Sequence, residues 1–234
     1  MEFLSLRTRG SRKARNLPSC RLLQVVELNP RNLKSLNPEV RESEWRKVEE
    51  VLKEEPKRLQ DIRFYLRSLL WSRVQGVREE AWRHLHVYKE LGITGLEKAF
   101  SSKSDRIKLT AWQHVQEVME LGLLSREEIV GLRQHFWRML RSYYPTVRKK
   151  AWKLLPTLVK LGIVGPRDRE RLVEFLRNKK PNIRLMAWNL AKFLVNEGVL
   201  TRDDLEQNLI YLKELTERNS TVSLRARKIL EEMK

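Results

Sequence analysis

Four segments of the chain repeat one pattern of apolar and basic positions. In each, an aliphatic residue is followed by a basic residue, two variable positions and Ala-Trp, and the four aliphatic residues stand 30 to 40 residues apart. They are Val77, Ile107, Val147 and Ile183. A fifth, weaker copy at Val222 has lost the basic residue and the Trp. Recurrence at this period predicts an array of helical repeats.

Apolar residues at helical spacing follow each motif, and a glycine then ends the segment. In the third copy the apolar stripe continues through Ala151, Leu155 and Leu158 to Leu161-Gly162. The spacing predicts a helix, and the glycine predicts its C-cap. The same ending occurs at Leu91-Gly92 and Leu121-Gly122, and Gly198 closes the fourth copy. We therefore expect each motif to begin the second helix of a helix pair.

The first helix of each pair is predicted upstream of the motif. The starts of these segments carry acidic residues, as in Ser125-Arg126-Glu127-Glu128 and Thr201-Arg202-Asp203-Asp204. Acidic residues at a helix start can act as caps and interact favourably with the positive end of the helix dipole. The predicted first helices span residues 57–72, 95–101, 126–141, 167–178 and 202–217.

The N-terminal part of the chain differs from the repeats. We predict capping helices within residues 18–55: a short amphipathic helix from Pro18 to Leu28, and a longer one from Pro38 to Glu54 capped by Asn37. Residues 1–17 are rich in cations and are predicted to form a basic arm that is disordered alone. Its candidate nucleic-acid contacts are Arg7, Arg9, Arg12, Lys13 and Arg15.

The Val-Arg-x-x-Ala pattern with spaced leucines and a closing Leu-Gly resembles the second helix of HEAT-type repeats. This resemblance implies an all-α fold, a right-handed α-solenoid of about five helix pairs over residues 57–234, with an N-terminal helical cap and basic arm. The chain departs from the family in two ways. The Asp that often precedes the Val-Arg has a counterpart only at Asp105, and a Trp follows the Ala where the family usually has a small residue.

Composition favours a soluble helical protein. The hydrophobic fraction is 41% and the charged fraction 33%, and the apolar runs are too short to cross a membrane. The single cysteine, Cys20, has no internal disulfide partner, which favours a reducing compartment. We therefore expect a cytoplasmic protein with no membrane partner.

The positive charge is large and unevenly distributed. The formal net charge is +18, and residues 133–184 contain fifteen Lys and Arg against three acids. Such a concentration favours an anionic partner. The alternative is a solvated edge that keeps the protein soluble, as in a protein from a hot or salty habitat, although thermophile ion-pair networks mix both signs of charge.

Several of these cations lie in the opening turns of the predicted second helices, where they oppose the helix dipole. Equivalent turns of a repeat array line up along one edge, next to helix N-termini that attract anions. We predict that this edge binds nucleic-acid phosphates. Its candidate residues are Lys103, Arg106, Lys108, Arg141, Arg148, Lys149, Lys150, Lys153, Arg177, Lys179, Lys180 and Arg184.

The four repeated tryptophans lie at the margin of the predicted core stripe. They could pack between neighbouring second helices, or their rings could stack on bases or on a partner. Repeat architectures duplicate core positions, so packing is the favoured interpretation. The column consists of Trp82, Trp112, Trp152 and Trp188, while Trp45, Trp71 and Trp137 are predicted to be core residues.

Catalytic and metal-binding signals are weak. The chain has no nucleophile motif, glycine-rich phosphate loop or cysteine cluster. His84 and His114 occupy the same repeat position, which indicates a duplicated packing site, and His86 and His135 have no partner at ligand spacing. We expect a protein that is not an enzyme and has no cofactor or metal.

Three hypotheses of function follow. The first is a nucleic-acid-binding protein, with structured RNA or the ribosome preferred over DNA. The second is a protein-interaction scaffold that docks an acidic partner, and the weak fifth repeat allows a homodimer. The third is a DNA glycosylase, because some alkylpurine glycosylases are HEAT-like and basic. The chain lacks the Trp-Trp-Asp cluster associated with that family, and Asp168 stands where a helix cap is expected.

Overall fold

A computed structural model of the protein describes residues 26–217 and 221–233, and all regular secondary structure within them is helical. The α-helices of the N-terminal half are α1 (Pro38–Glu54), α2 (Lys57–Gln60), α3 (Arg63–Leu69), α4 (Gln75–Arg83), α5 (Leu85–Glu90), α6 (Glu97–Phe100), α7 (Asp105–Gln113) and α8 (Val115–Glu120). Those of the C-terminal half are α9 (Arg126–Leu140), α10 (Pro145–Lys160), α11 (Arg169–Leu176), α12 (Pro181–Asn196), α13 (Arg202–Thr216) and α14 (Thr221–Glu232). Short 3-10 helices span Pro30–Lys34 and Pro166–Asp168. The all-α prediction is confirmed for these residues.

Several of the predicted helix caps are confirmed. The Asn37 side chain accepts a hydrogen bond from the Glu39 amide, and Ser125 and Thr201 each form a capping box with an acid three residues later. Gly162 follows α10 with a φ of +67°, and the next amide donates to the Leu158 carbonyl. This is the Schellman ending expected of a glycine C-cap.

Two of the predicted second helices are broken in the middle. The helix after Val77 stops at His84, where φ is −105°, and resumes as α5; the next one stops in the same way at His114 and resumes as α8. The equivalent positions in α10 and α12 are Leu154 and Leu190, and those helices are continuous. The helix predicted over residues 57–72 is also divided, into α2 and α3.

The N-terminal predictions are only partly covered by the described residues. Residues 26–28, the end of the short helix predicted from Pro18, are not helical, and the rest of that segment lies outside the described residues. The predicted arm also lies outside them. Helix α1 packs on the first repeat, where the Trp45 ring stacks on His84 at 4.3 Å and Arg41 pairs with Glu80.

Helix contacts follow a regular order. The second helices α4, α7, α10, α12 and α14 each contact the next in the series, and first helices contact each other from α6 to α9 and from α11 to α13. Each of α9, α11 and α13 also packs on the second helix that follows it. The buried apolar side chains form one continuous cluster from Leu33 to Ile229.

The tryptophan column is buried, so the packing interpretation is confirmed. The four rings are at most 4% exposed, and each indole Nε1 donates to a backbone carbonyl 12 residues earlier. The acceptors belong to Leu70, Phe100, Leu140 and Leu176, at or next to the end of each first helix. Each Trp therefore fills the core and also satisfies a carbonyl that the first helix leaves free. Trp45 and Trp137 are buried as predicted, whereas Trp71 is half-buried.

Ion pairs connect successive first helices. Arg133 of α9 donates to Asp168 at 2.9 Å, and Arg169 of α11 donates to both oxygens of Asp204 at 2.8 and 2.9 Å. The bond from Arg169 is the main cause that lowers the pKa of Asp204 to about 2, and Thr201 adds further hydrogen bonds. In both pairs the arginine and the aspartate are 35 residues apart in the sequence.

Candidate nucleic-acid interface

The basic residue of the repeated motif is a structural residue in three of its four copies. Arg78, Arg148 and Arg184 each donate to the carbonyl six residues earlier, at 2.6, 2.7 and 2.8 Å. Those carbonyls belong to the turn between the first and second helices of each pair, whose backbone groups have no helical partners. The arginine therefore closes the turn, a role that the sequence analysis did not predict.

Two of the predicted phosphate ligands are buried by these internal contacts. Arg184 is 9% exposed and also donates to the Tyr211 carbonyl and to Glu214. Lys108 is 4% exposed, and its Nζ lies 2.9 Å from the Asp105 carboxylate. Their opposition to the helix dipole, which suggested anion binding, is explained by protein acceptors. Both side chains are therefore held by partners within the protein and do not form part of the exposed basic surface.

Most of the other predicted cations are exposed. Arg148 is half-buried. Arg106 lies over the Tyr144 ring at 5.5 Å, Arg141 donates to Glu174, and Arg177 donates to Asn208. The exposed cations of the predicted set are Lys103, Arg106, Arg141, Lys149, Lys150, Lys153, Arg177, Lys179 and Lys180. The arm cations Arg7, Arg9, Arg12, Lys13 and Arg15 lie outside the described residues.

Part of this set lines a groove across the second helices, which we call the cationic groove. It is formed by α10, α12 and α14 and has a volume of about 530 Å³. Four cations and one carboxylate line it: Lys149, Lys153, Arg225, Lys228 and Glu232. Its apolar floor comes from Trp152, Leu185, Met186, Leu190 and Ile229, and Asn189 completes the lining.

The charges of the groove are poorly compensated. Lys228 lies 3.8 Å from Glu232, one helical turn further along α14, and both side chains are more than half exposed. Such an exposed pair contributes little attraction. The surface of the first helices is different, because Arg133, Arg169 and Arg141 there pair with acids of the next helix. The groove cations thus have only a weak carboxylate partner, whereas these three first-helix arginines are each paired with an acid.

Arg225 and Lys228 were missed by the sequence analysis. The fifth copy of the motif is weak because Ser223 replaces the basic residue and Arg227 replaces the Trp. The repeat pattern could have identified Lys228, because Lys228 follows Val222 by six residues and Lys153 follows Val147 by six residues. That position is exposed in all five copies, where it is occupied by Arg83, Gln113, Lys153, Asn189 and Lys228.

Two aromatic side chains are exposed just before α10, one of the three helices that form the groove. Tyr143 is 89% exposed and Tyr144 47% exposed, in the turn that leads into α10. Their rings meet edge to face at 5.9 Å. Exposed aromatic rings among cations are a common feature of surfaces that stack on unpaired bases. The buried tryptophans cannot serve this purpose.

Comparison with models of known protein families and with the sequences of curated proteins found no match to this chain. None of the described helices has the length and apolarity needed to cross a membrane.

Proposed function

We propose that this protein is a non-enzymatic nucleic-acid-binding protein, built as a right-handed α-solenoid of about five HEAT-like helix pairs. The regular contacts between successive second helices support this architecture. The cationic groove is the observation that carries the proposal, since its four cations face one exposed carboxylate. Phosphate contacts from Lys149, Lys153, Arg225 and Lys228 would supply affinity through counterion release.

Structured RNA, including the ribosome, is the proposed target. An A-form duplex is recognised chiefly through its phosphates and shape, which suits a row of lysines on a rigid scaffold. Tyr143 and Tyr144, in the turn before α10, would contact unpaired bases, and Lys179 and Lys180, in the turn before α12, would add phosphate contacts. The residues of the arm would reach a second surface of the RNA. The setting of this function would be cytoplasmic.

A salt titration tests the proposal. Binding of a folded RNA with hairpins should weaken steeply as salt rises, because each neutralised phosphate contributes roughly 0.7 to 0.9 to the slope of log K against log salt. Reversing all four groove cations, in the variant K149E/K153E/R225E/K228E, should abolish measurable binding and leave the helical circular dichroism unchanged. A DNA duplex of matched length measures the preference for RNA.

The matched control reverses four exposed cations of the first-helix surface, in the variant R167E/R171E/R202E/K213E. Its net charge equals that of the groove variant, so it reports the effect of total charge alone. We expect the control variant to keep most of the affinity. Equal loss of affinity in both variants would show that binding depends on net charge and would reject the groove as the site.

A second candidate function is a scaffold that docks an acidic protein partner. The apolar floor of the groove favours it, because Met186, Leu190 and Ile229 offer contacts that a phosphate backbone does not use. An acidic amphipathic helix would match both the floor and the cations. Capture of a protein that survives nuclease treatment and is lost in the groove variant would favour this function over RNA binding.

The glycosylase hypothesis finds less support in the site. Asp168 accepts hydrogen bonds from Arg133 and from the Gly165 amide, as a structural carboxylate does. The repeated tryptophans are at most 4% exposed, which leaves no ring face free to stack on an extruded base. The glycosylase hypothesis would require that the protein release a modified base from damaged DNA.

A further inference from the structure

Three potential metal ligands converge where α1 meets the break between α4 and α5. The Nδ1 atom of His84 lies 2.9 Å from Oε1 of Glu49, and the Nε2 atom of His86 lies 3.2 Å from the same oxygen. One ligand atom from each of the three residues lies within 4.8 Å of the other two. The expectation that His86 has no partner at ligand spacing is wrong, because the partner is Glu49, 37 residues away in the sequence.

The surrounding structure holds two of these side chains in place. The His84 ring stacks on the buried Trp45 ring with an interplanar angle of 9°, so its orientation is restricted. Glu49 belongs to α1, which packs on the repeats through Trp45 and Arg41. The His86 side chain is 48% exposed and that of Glu49 34% exposed, which leaves a path for an ion from solvent.

The donor set suits zinc. Two imidazoles and one carboxylate are a common three-residue zinc set, with a water molecule in the fourth position. Ligand distances of about 2.0 to 2.1 Å in a tetrahedral site place adjacent ligand atoms roughly 3.3 Å apart. The two separations seen here, 2.9 and 3.2 Å, need only a small opening to reach that value.

We propose that Glu49, His84 and His86 bind one Zn²⁺ ion that links α1 to the first repeat. The ion would replace the hydrogen bond between His84 and Glu49 and the close contact between His86 and Glu49. Its binding would stabilise the folded chain by mass action, because the unfolded chain does not hold the three ligands together. This site is separate from the cationic groove, so it does not depend on the proposed function.

His114 provides a control within the same chain. It occupies the same repeat position as His84 and also interrupts a helix, and its Nδ1 lies 3.1 Å from Glu117. The residue two positions later is Gln116, where the first repeat has His86. Duplication of a packing position accounts for His84 and His114 alike, but it does not account for His86 or Glu49.

Calorimetric titration of the metal-free full chain with ZnCl2 tests the proposal. A Cys20→Ser background removes the single thiol, which could bind zinc by itself. We expect one equivalent of Zn²⁺ to bind and to raise the melting temperature. Glu49→Gln and His86→Asn should each weaken binding about tenfold or more, whereas His114→Asn should leave it unchanged.

Three results would overturn the proposal. They are the absence of zinc binding by the folded chain, unchanged affinity in both Glu49→Gln and His86→Asn, and an equal loss of affinity in His114→Asn. His86 is half-exposed, so its variant is expected to fold, and circular dichroism of each variant confirms this before titration. A substituted Co²⁺ ion gives an independent signal, because its visible absorption reports tetrahedral coordination in the parent and its loss in the variants.

Discussion

Neighbouring basic residues at the start of α10 have different tasks. Arg148 uses its guanidinium to close the turn before its own helix, while Lys149 points into the groove. The same turn-closing contact is made by Arg78 and Arg184 in other repeats. In three of the four copies the repeated basic residue is thus an arginine that makes a backbone contact, and the groove charge comes from other cations.

Replacing Arg184 should affect stability and spare binding. In Arg184→Met the acceptors at Asn178, Tyr211 and Glu214 lose their donor, so we expect a loss of about 2–3 kcal/mol in the free energy of unfolding. Lys153→Met should change stability by less than about 0.5 kcal/mol and weaken RNA binding. Urea unfolding measures the stability of both variants, and RNA titration measures their affinity. Weakened RNA binding in a stable Arg184→Met protein would contradict the assignment.

The residue scale also shows what the sequence could and could not predict. The period predicted that Trp82 and its equivalents pack in the core, because a column repeated in every copy occupies equivalent environments. The contact of Arg184 with Tyr211 could not be predicted, since it depends on how two separate helices pack. The same limit applies to Glu49 and His86, whose approach depends on where α1 docks.

At the scale of single helices, starts and ends were predictable because capping is local chemistry. The breaks at His84 and His114 were not, since the apolar pattern continues through them. The copies with leucine at this position form continuous helices. At the breaks, the His84 side chain contacts Glu49 and the His114 side chain contacts Glu117.

Two glycines allow a matched test of helix ends and interiors. Gly122 has a φ of +69° after α8, whereas Gly131 lies inside α9, and a Cβ atom built on either meets no neighbouring atom within 4 Å. Gly122→Ala should lower the free energy of unfolding by about 1–2 kcal/mol, because a left-handed backbone disfavours a side chain. Gly131→Ala should raise it by about 0.5–1 kcal/mol. Chemical denaturation of both variants measures these changes in the free energy of unfolding. Changes of the same sign and size in both variants would contradict this explanation.

The ion pair between α11 and α13 predicts a pH dependence. The Arg169 hydrogen bond holds the pKa of Asp204 at about 2 in the folded chain, below its ordinary value of 3.8. The stabilisation is therefore fully present above about pH 4 and is lost as the pH falls towards 2. Asp204→Asn should cost about 1–2 kcal/mol near neutral pH, and the difference from the parent should shrink across that acidic window.

Asp203→Asn is the control for this titration. Asp203 is exposed in the same first turn of α13, so its replacement should produce a small difference that varies little between pH 5 and pH 2. A pH-independent difference between the parent and Asp204→Asn would contradict the role assigned to the Arg169 contact. Thermal or urea unfolding at several pH values provides the measurement.

For the whole molecule, salt should act in opposite directions on binding and on folding. A net charge of +18 makes the folded chain repel itself, and added salt screens that repulsion. Raising NaCl from about 20 mM to about 300 mM should increase the melting temperature of the free protein while it weakens RNA binding. Differential scanning calorimetry and binding titrations over the same series test this. A melting temperature that falls would indicate that the ion pairs between first helices dominate.

The tryptophan bond to a carbonyl 12 residues earlier has a consequence for the lengths of chain segments. The distance between successive tryptophans varies from 30 to 40 residues, yet the 12-residue interval is constant in all four copies. All variation in repeat length therefore falls between a Trp and the next first-helix end. A tag of a few residues inserted after Gly122 should be tolerated. The same tag inserted between Phe100 and Trp112 should unfold the chain, because it breaks the fixed interval. Each repeat thus contains one interval of fixed length and one that can grow or shrink.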